Sequence, residues 1–204
     1  DRAGKGLTRL GEEIARRERY KFLAAVAAEV SARYIALGHN ADDQTETVLM
    51  HWLRGAGLAG LCGMRPKSPL DALRLGDTAA LPADLYLIRP LLYVTRADIE
   101  AYCQEHGLQP RFDRSNLDTT YFRNRIRREL LPYLESYNPN IRVLIRRSAE
   151  AIAGDYEVVR RELERAWSAV IRQEGDVWIT LHLAAWRALP IGLQRSVLRH
   201  AVQK

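Results

Sequence analysis

The periodicity of this chain predicts an α/β fold, a mostly parallel sheet layered with helices and followed by a mainly helical region. Three observations carry that reading. A helical stripe, a short apolar run and a second helical stripe succeed one another between Leu7 and Arg54, and alternation of helix and strand is how parallel sheets are assembled. The apolar run, Tyr34-Ile35-Ala36-Leu37, has the length and polar flanks of a buried parallel strand. From about residue 137 onward the pattern becomes helical and basic. The expected division is therefore 1–137 and 138–204.

Taken in order, Asp1 to Gly6 is polar and reads as a frayed opening. Leu7 to Ser31 reads as a helix, with Ile14, Tyr20, Leu23, Ala24, Ala27 and Val30 on one stripe. After the strand at 34–37, Gly38-His39-Asn40 is a turn, and Ala41 to Arg54 is a helix stopped by Gly55. Its face of Thr45, Val48, Leu49, Trp52 and Leu53 is expected to pack on the sheet. Gly55, Gly57, Gly60, Gly63 and Pro66 mark a tight loop. Strands are expected at Ala72–Leu75 and Leu85–Leu92, joined by a turn near Gly76-Asp77. Thr95 caps a helix over Arg96–His106 that Gly107 ends. The loop Asp113–Asp118 leads into a helix that Pro132 closes. Asn138-Pro139 then opens a helix reaching about Gln173, bent near Gly154, before a strand at Val177–Leu183 and a helix at Ile191–Val202.

Composition narrows the class. The chain has 204 residues, 47% hydrophobic and 27% charged, enough to bury a real core. No apolar run approaches the roughly 20 residues of a membrane helix. Cys62 and Cys103 form neither a CxxC nor a zinc pattern, so no metal ligands are assigned, and reduced thiols in a cytoplasmic setting are expected. The net charge of +6 points towards an acidic partner. Its distribution is more telling: between Phe122 and Arg147 seven arginines stand against Glu129 and Glu135. Dense arginine suits forked phosphate recognition, although a solvated helix surface accounts for the same letters.

Two constellations bear on chemistry. The segment from Gly38 to Thr47, GHNADDQTET, falls beyond the carboxyl end of a strand, where open α/β sheets bind ligands. Asn40 can cap the helix, with Asp42 and Asp43 in its first turn, where carboxylates are favoured. Helical geometry makes Asp43 and Glu46 i, i+3 neighbours on an accessible rim. Such a pair asks for a cation, which a lysine ammonium or a magnesium ion could supply. His39 is a capping or packed residue, or a nucleotide contact. The second constellation is Arg123-Asn124-Arg125-Ile126-Arg127-Arg128. With Phe122, Ile126, Leu130 and Leu131 as the apolar stripe, Arg123 and Arg127 project among apolar residues and Arg125 faces solvent. Guanidiniums so placed need an anion, either a phosphate or a structural carboxylate such as Asp113 or Asp118. Of the later arginines, Arg142, Arg146 and Arg147 are better RNA candidates than Arg160, Arg161 and Arg165, which Glu157, Glu162 and Glu164 neutralise.

The stretch GHNADDQTETVLMHWLRGAGLAGLCGM, Gly38 to Met64, resembles the HHxDDQxET…LRGxGxxGLxGM segment of bacterial tRNA(Ile)-lysidine synthetases, members of the PP-loop ATP-pyrophosphatase superfamily. Ile88-Arg89-Pro90-Leu91-Leu92, Asp113 to Asp118 and Arg123 to Arg127 resemble that family's RPLL, D-x-SN-x-D and RNxxR blocks, in the same order. Ala188-Leu189-Pro190 through Arg199 resembles its substrate-binding helical domain. The resemblance implies the remainder of a PP-loop, adenine nucleotide alpha hydrolase-like domain ahead of a helical tRNA-binding domain. It also implies a ligase that uses ATP to adenylate the C2 oxygen of the wobble cytidine in the CAU anticodon of tRNA(Ile). The amine of free lysine then displaces AMP. By the same resemblance Asp43, Arg123 and Arg127 are catalytic, Asp43 and Glu46 hold the lysine, and His39 and Asn124 lie near ATP. Arg54, Arg128, Arg142, Arg146 and Arg147 meet tRNA, and ATP and Mg2+ are the implied cofactors. A homodimer is left open.

Two departures stand out. Asn40 occupies the position of the family's second histidine, and no SGGxDS phosphate loop occurs in these residues. The reading is of a fragment lacking that loop and the family's last domain. The rivals are a non-catalytic RNA-binding module and another PP-loop tRNA-modifying enzyme. A thiolase of that kind would commonly carry CxxC pairs, which this chain lacks. The 204-residue chain by itself is expected not to bind magnesium-ATP tightly; equilibrium titration checks this, and tight binding would refute it.

Overall fold

The computed structural model describes residues 2–70, 84–111 and 117–203. The expected strand at Ala72–Leu75, its turn at Gly76-Asp77, and most of the Asp113–Asp118 loop lie outside the described residues. The chain divides into two compact units, Asp1–Ala149 and Glu150–Lys204.

In the first unit, helix α1 (Arg2–Glu29) begins at Arg2, where the polar opening had suggested fraying. It lays Tyr20, Ala24 and Ala27 on a three-stranded sheet through Ile35, Leu70, Leu85 and Leu87, all buried. The sheet runs β1 (Tyr34–Ala36), β3 (Tyr86–Ile88), β2 (Lys67–Pro69). Strands β1 and β3 are parallel, with Ile35 opposite Leu87 and Ala36 opposite Ile88, and β2 is antiparallel to β3. The parallel pair matches the sequence reading. β2 escapes it because three residues, one of them proline, leave no alternation to detect. β3 is shorter than the expected Leu85–Leu92: Pro90 has no N–H to donate to a ladder, and the chain turns instead, with the Leu92 N–H donating to the Arg89 carbonyl at 3.2 Å.

Helix α2 (Ala41–Leu53) follows β1 and stops at Gly55, whose φ of +73° suits glycine. A short helix α3 (Leu58–Leu61) lies in the glycine loop. Thr95 caps α4 (Arg96–Glu105) through a reciprocal capping box with Asp98, and Gly107 ends it at φ +64°. α2 does not pack as its stripe suggested. Val48 and Leu49 are buried, but Trp52 is 66% exposed and Leu53 half exposed. The reason is that Leu49 packs with Ile126 and Leu131, alongside Leu134 and Ile145, in a cluster that contains no strand residue.

That partner surface comes from α5 (Phe122–Arg125), a π-helical turn at Ile126–Leu130, and α6 (Leu131–Tyr137). Pro132 does not close the helix. It sits in the first turn of α6, where a missing N–H is harmless, and the wide turn before it carries the chain through, the Leu131 N–H reaching the Ile126 carbonyl. α7 (Ile141–Val170) follows, continuous past Gly154.

In the second unit, residues read as the end of that helix instead form β4 (Ile171–Glu174), antiparallel to β5 (Ile179–Leu181). Gly175 makes the turn possible by close approach: a Cβ there would lie 2.6 Å from the Trp178 ring. Helices α8 (Leu183–Ala188) and α9 (Ile191–Gln203) complete a core of Ala166, Val170 and Val197. No helix among the described residues is long and apolar enough to cross a membrane. Because Ile126 and Leu131 have virtually no exposed surface, Leu131→Ala is expected to lower stability by about 2–5 kcal/mol, read from urea unfolding.

Candidate functional site

The carboxyl ends of β1 and β3 open onto the start of α2, and Asn40 fixes how that helix begins. Its Oδ1 accepts the N–H groups of Asp42 and Asp43, both at 3.0 Å, while its own N–H donates to Asp43 Oδ2 at 3.0 Å. This reciprocal cap satisfies three backbone donors and aims the acidic turn. Where the resembled family carries a second histidine, the side chain here is an N-cap.

Glu46 lies one turn further in and is 1% exposed, so the expected accessible rim is in fact covered. The cover is the pair of guanidiniums from the facing helix. Arg127 Nε donates to Glu46 Oε1 at 2.5 Å, and Arg123 Nε and Arg127 Nη2 donate to Oε2 at 2.7 and 3.1 Å. Asp43 Oδ1 receives Arg123 Nη2 at 3.1 Å and Arg127 Nη2 at 3.5 Å. Glu46 holds the Arg127 guanidinium above its ordinary range, chiefly by hydrogen bonding. The anion these arginines need is therefore supplied by α2, with Asp113 outside the described residues, and the cation the carboxylates need is supplied by the chain itself. Every oxygen of Asp43 and Glu46 already has a donor. That donor set does not fit a magnesium ion, and Glu46 presents no free edge to a lysine ammonium; Asp43, with its side chain 18% exposed, retains one.

A second layer clamps the same helix. Asp42 accepts the Arg96 N–H at 2.8 Å and Arg142 Nη1 at 3.1 Å. Arg142 also donates to Glu135 at 2.5 Å, and Arg146 donates to Thr45 Oγ1 at 3.3 Å. Arg142 thus answers two carboxylates, whereas Arg146 meets α2 through a single hydrogen bond to a hydroxyl. Arg128 and Arg147 are exposed, and Arg54 lies over the Phe122 ring at 5.5 Å. Arg125 is exposed and pairs with Glu129 at 3.5 Å. Asn124 is buried and donates to the Asp118 carbonyl at 2.8 Å.

Two residues carry more than the sequence disclosed. Gln44 is buried, its amide donating to the carbonyls of Met64 (3.1 Å) and Cys62 (3.3 Å) and accepting from the Met64 N–H (2.7 Å). Gly63, at φ +66°, admits it: a Cβ there would come within 2.6 Å of the Gln44 amide. Arg89 is 7% exposed and donates to the Arg65 carbonyl at 2.7 Å and Ser68 Oγ at 3.1 Å. In the sequence it stands inside the expected strand Leu85–Leu92 and the RPLL block, with nothing to mark it as buried. Burial pushes the His39 imidazole below the ordinary histidine value; Asp43 opposes that, while Arg89, Arg123 and Arg16 add to it. His39, Asp43, Glu46, Arg123 and Arg127 therefore form one electrostatic neighbourhood. Cys62 is buried, its thiol donating to the Leu58 carbonyl at 3.1 Å and pushed up by burial. Among the described residues, no group of histidine, cysteine, aspartate and glutamate could hold a metal ion.

The PP-loop domain family matches residues 2–134. The chain belongs to that family. The matched segment runs from α1 into α6 and contains Asp43, Glu46, Arg123 and Arg127. Curated relatives agree with one another in name. The tRNA(Ile)-lysidine synthase of Dehalococcoides mccartyi is 42% identical over 195 residues, 95% of this chain and 39% of that protein. Those of Geobacter sulfurreducens and Geobacillus kaustophilus are 39% and 37% identical, over 94% and 92% of this chain and 38% of each relative. The chain thus spans about two fifths of the length of the relatives it matches. A solved structure, the U34-tRNA thiolase NcsA of Methanococcus maripaludis, is 22% identical, covers 68% of this chain and 42% of its own, and has a TM-score of 0.45. That likeness is too loose to bear on chemistry.

Glu46→Gln is expected to lower stability by about 3–5 kcal/mol, because it removes the buried carboxylate shared by two partly buried guanidiniums and leaves them Asp43 alone. Arg125→Gln, which breaks only a surface pair, is expected to change it by less than about 1 kcal/mol. Urea unfolding of the two variants checks the contrast.

Proposed function

We propose that this chain is part of a tRNA(Ile)-lysidine synthase, an ATP-dependent carbon–nitrogen ligase that joins free lysine to C2 of the wobble cytidine in a CAU anticodon. The observation that carries the reading is the convergence of Asp43 and Arg123 on one cluster at the carboxyl edge of the parallel strands, within a chain that resembles synthases of that name along almost its whole length.

In this reading Arg123 and Arg127, already oriented by Glu46, present guanidinium faces to the charge that develops as pyrophosphate leaves and AMP is transferred to the cytidine oxygen. Asp43 offers its remaining exposed edge to the lysine amine, which attacks C2 as AMP departs. Glu46 serves as the buried anchor and does not touch lysine. His39, its pKa lowered by burial, and Asn124 are assigned to the nucleotide side. Outward-facing Arg54, Arg128 and Arg147 carry the phosphate contacts to tRNA. Residues 1–137 would house the chemistry and 138–204 would contribute to holding the RNA, in the cytoplasm, with magnesium travelling on the ATP and not on Asp43 or Glu46. Pairing of two copies is compatible with this assignment.

The competing reading, a non-catalytic RNA-binding module, is favoured by the saturation of the Asp43–Glu46 cluster with internal ion pairs. In a full-length synthase carrying this segment, Asp43→Asn should reduce lysine incorporation at least 100-fold while tRNA affinity stays within about threefold. Retained incorporation would defeat the ligase assignment, and equal loss of tRNA binding would favour the module.

A further inference from the structure

A groove of about 330 Å³ opens in the first unit where the end of α2 meets the segment α5–α6. Ile126, 1% exposed, and Leu130 form its floor, and Leu53, Phe122 and Tyr133 form its walls. Arg125 and Glu129 stand at its mouth. Arg123 and Arg127 do not line it; they pair with Glu46, so the groove uses a different face of the same segment. Ile126, Glu129 and Leu130 belong to the π-helical turn, a distortion that recurs at functional sites. The volume falls at the lower end of small-ligand sites, which span roughly 300–1,000 Å³.

The walls are large apolar side chains left open to water, with Tyr133 59% exposed and Trp52 exposed on the same turn of α2 as Leu53. Clustered exposure of this kind marks a binding surface. Both aromatic walls are braced. The Arg54 guanidinium lies over the Phe122 ring at 5.5 Å, and Tyr133 meets Tyr137 edge to face at 5.3 Å, their hydroxyls bonded at 2.8 Å. The charge around them is positive. Among the described residues no carboxylate pairs with Arg54 or Arg128, and Glu129 answers Arg125 only through an exposed contact at 3.5 Å. The complement is a flat apolar body carried on a negative backbone. An unpaired nucleotide has both parts, a base with a π face and a phosphate for arginine. A base pair inside a duplex does not offer that face.

We infer that the groove between Leu53, Phe122 and Tyr133 is a stacking site for an unpaired base of single-stranded RNA, with Arg54 and Arg128 holding the flanking phosphates. The RNA is thereby gripped by a base as well as by its backbone, at a place distinct from the Asp43–Glu46 cluster. That the strand belongs to tRNA rests on the ligase reading; the stacking site itself does not. The rival occupant is a second copy of the chain.

The test uses the 204-residue chain and a short, unstructured, fluorescein-labelled single-stranded RNA, with binding read by fluorescence anisotropy at constant ionic strength. Phe122→Ala and Tyr133→Ala should each weaken binding about fivefold or more, the size of one lost base stack. Tyr133→Phe should stay within about twofold of the unmodified chain, because the ring stacks and the hydroxyl does not. Arg54→Gln should flatten the salt dependence. Tyr102→Ala, which removes an exposed tyrosine outside the groove, should change nothing. Binding of a blunt RNA duplex should be indifferent to Phe122→Ala and Tyr133→Ala. Absence of saturable single-strand binding, unchanged affinity in either folded aromatic variant, or equal losses on duplex and single strand would overturn the site. So would self-association of the chain that Tyr133→Ala abolishes, which gives the groove to a second copy. Should Phe122→Ala not fold, the contrast between Tyr133→Ala and Tyr133→Phe decides, since that side chain is mostly exposed. Lysine incorporation plays no part in this readout, so failure of the ligase reading and failure of the stacking site register separately.

Discussion

The Glu46 carboxylate, sealed from water between Arg123 and Arg127, is the interaction around which the first unit is organised. A lone carboxylate at that depth would be prohibitively desolvated, and two guanidiniums on a helix face rich in Ile126 and Leu131 would be scarcely better off. Each side makes the other tolerable. The ion pairs bring α2 against the segment 122–137, and the apolar contact of Leu49 with Ile126 and Leu131 then closes beneath them. Fold and candidate site are in this sense a single construction, because the groups assigned to chemistry are also the groups that hold two elements of the core together.

This dual use explains what the sequence disclosed and what it withheld. The helix–strand–helix order, the Asn40 and Thr95 caps and the Gly55 and Gly107 stops were legible, because each depends on a few neighbouring residues. So was the need of Arg123 and Arg127 for an anion, since an arginine amid an apolar stripe is a local contradiction. Which anion was not legible. Glu46 and Arg127 are 81 residues apart, and periodicity says nothing about partners at that separation. The same blindness placed Glu46 on an open rim: a helical wheel knows a helix's own faces but not which of them another helix will cover. β2 and β4 were missed for a different reason, being three- and four-residue strands defined by their partners and not by any pattern of their own.

Arg142 and Arg146 show what charge density leaves unsaid. Read as letters they belong to a basic tract suited to RNA. In space Arg142 reaches the Asp42 and Glu135 carboxylates while Arg146 meets only the Thr45 hydroxyl, so part of the positive charge is answered within the chain. Electrostatic steering of a polyanion depends on that exposed remainder, not on the count of basic residues in the chain.

The bond between Gln44 and the Met64 backbone has its own corollary. A single amide reads both the carbonyl and the N–H of one residue, and Gly63 leaves just enough room for it to do so. The acidic helix and the glycine-rich loop are thereby interlocked like a key and its ward, and neither half retains its shape when exchanged alone. A chimera that takes the helix from one protein and the loop from another therefore inherits an amide with nothing to grip, and even the intact block 38–64 travels only with the guanidiniums that answer Glu46.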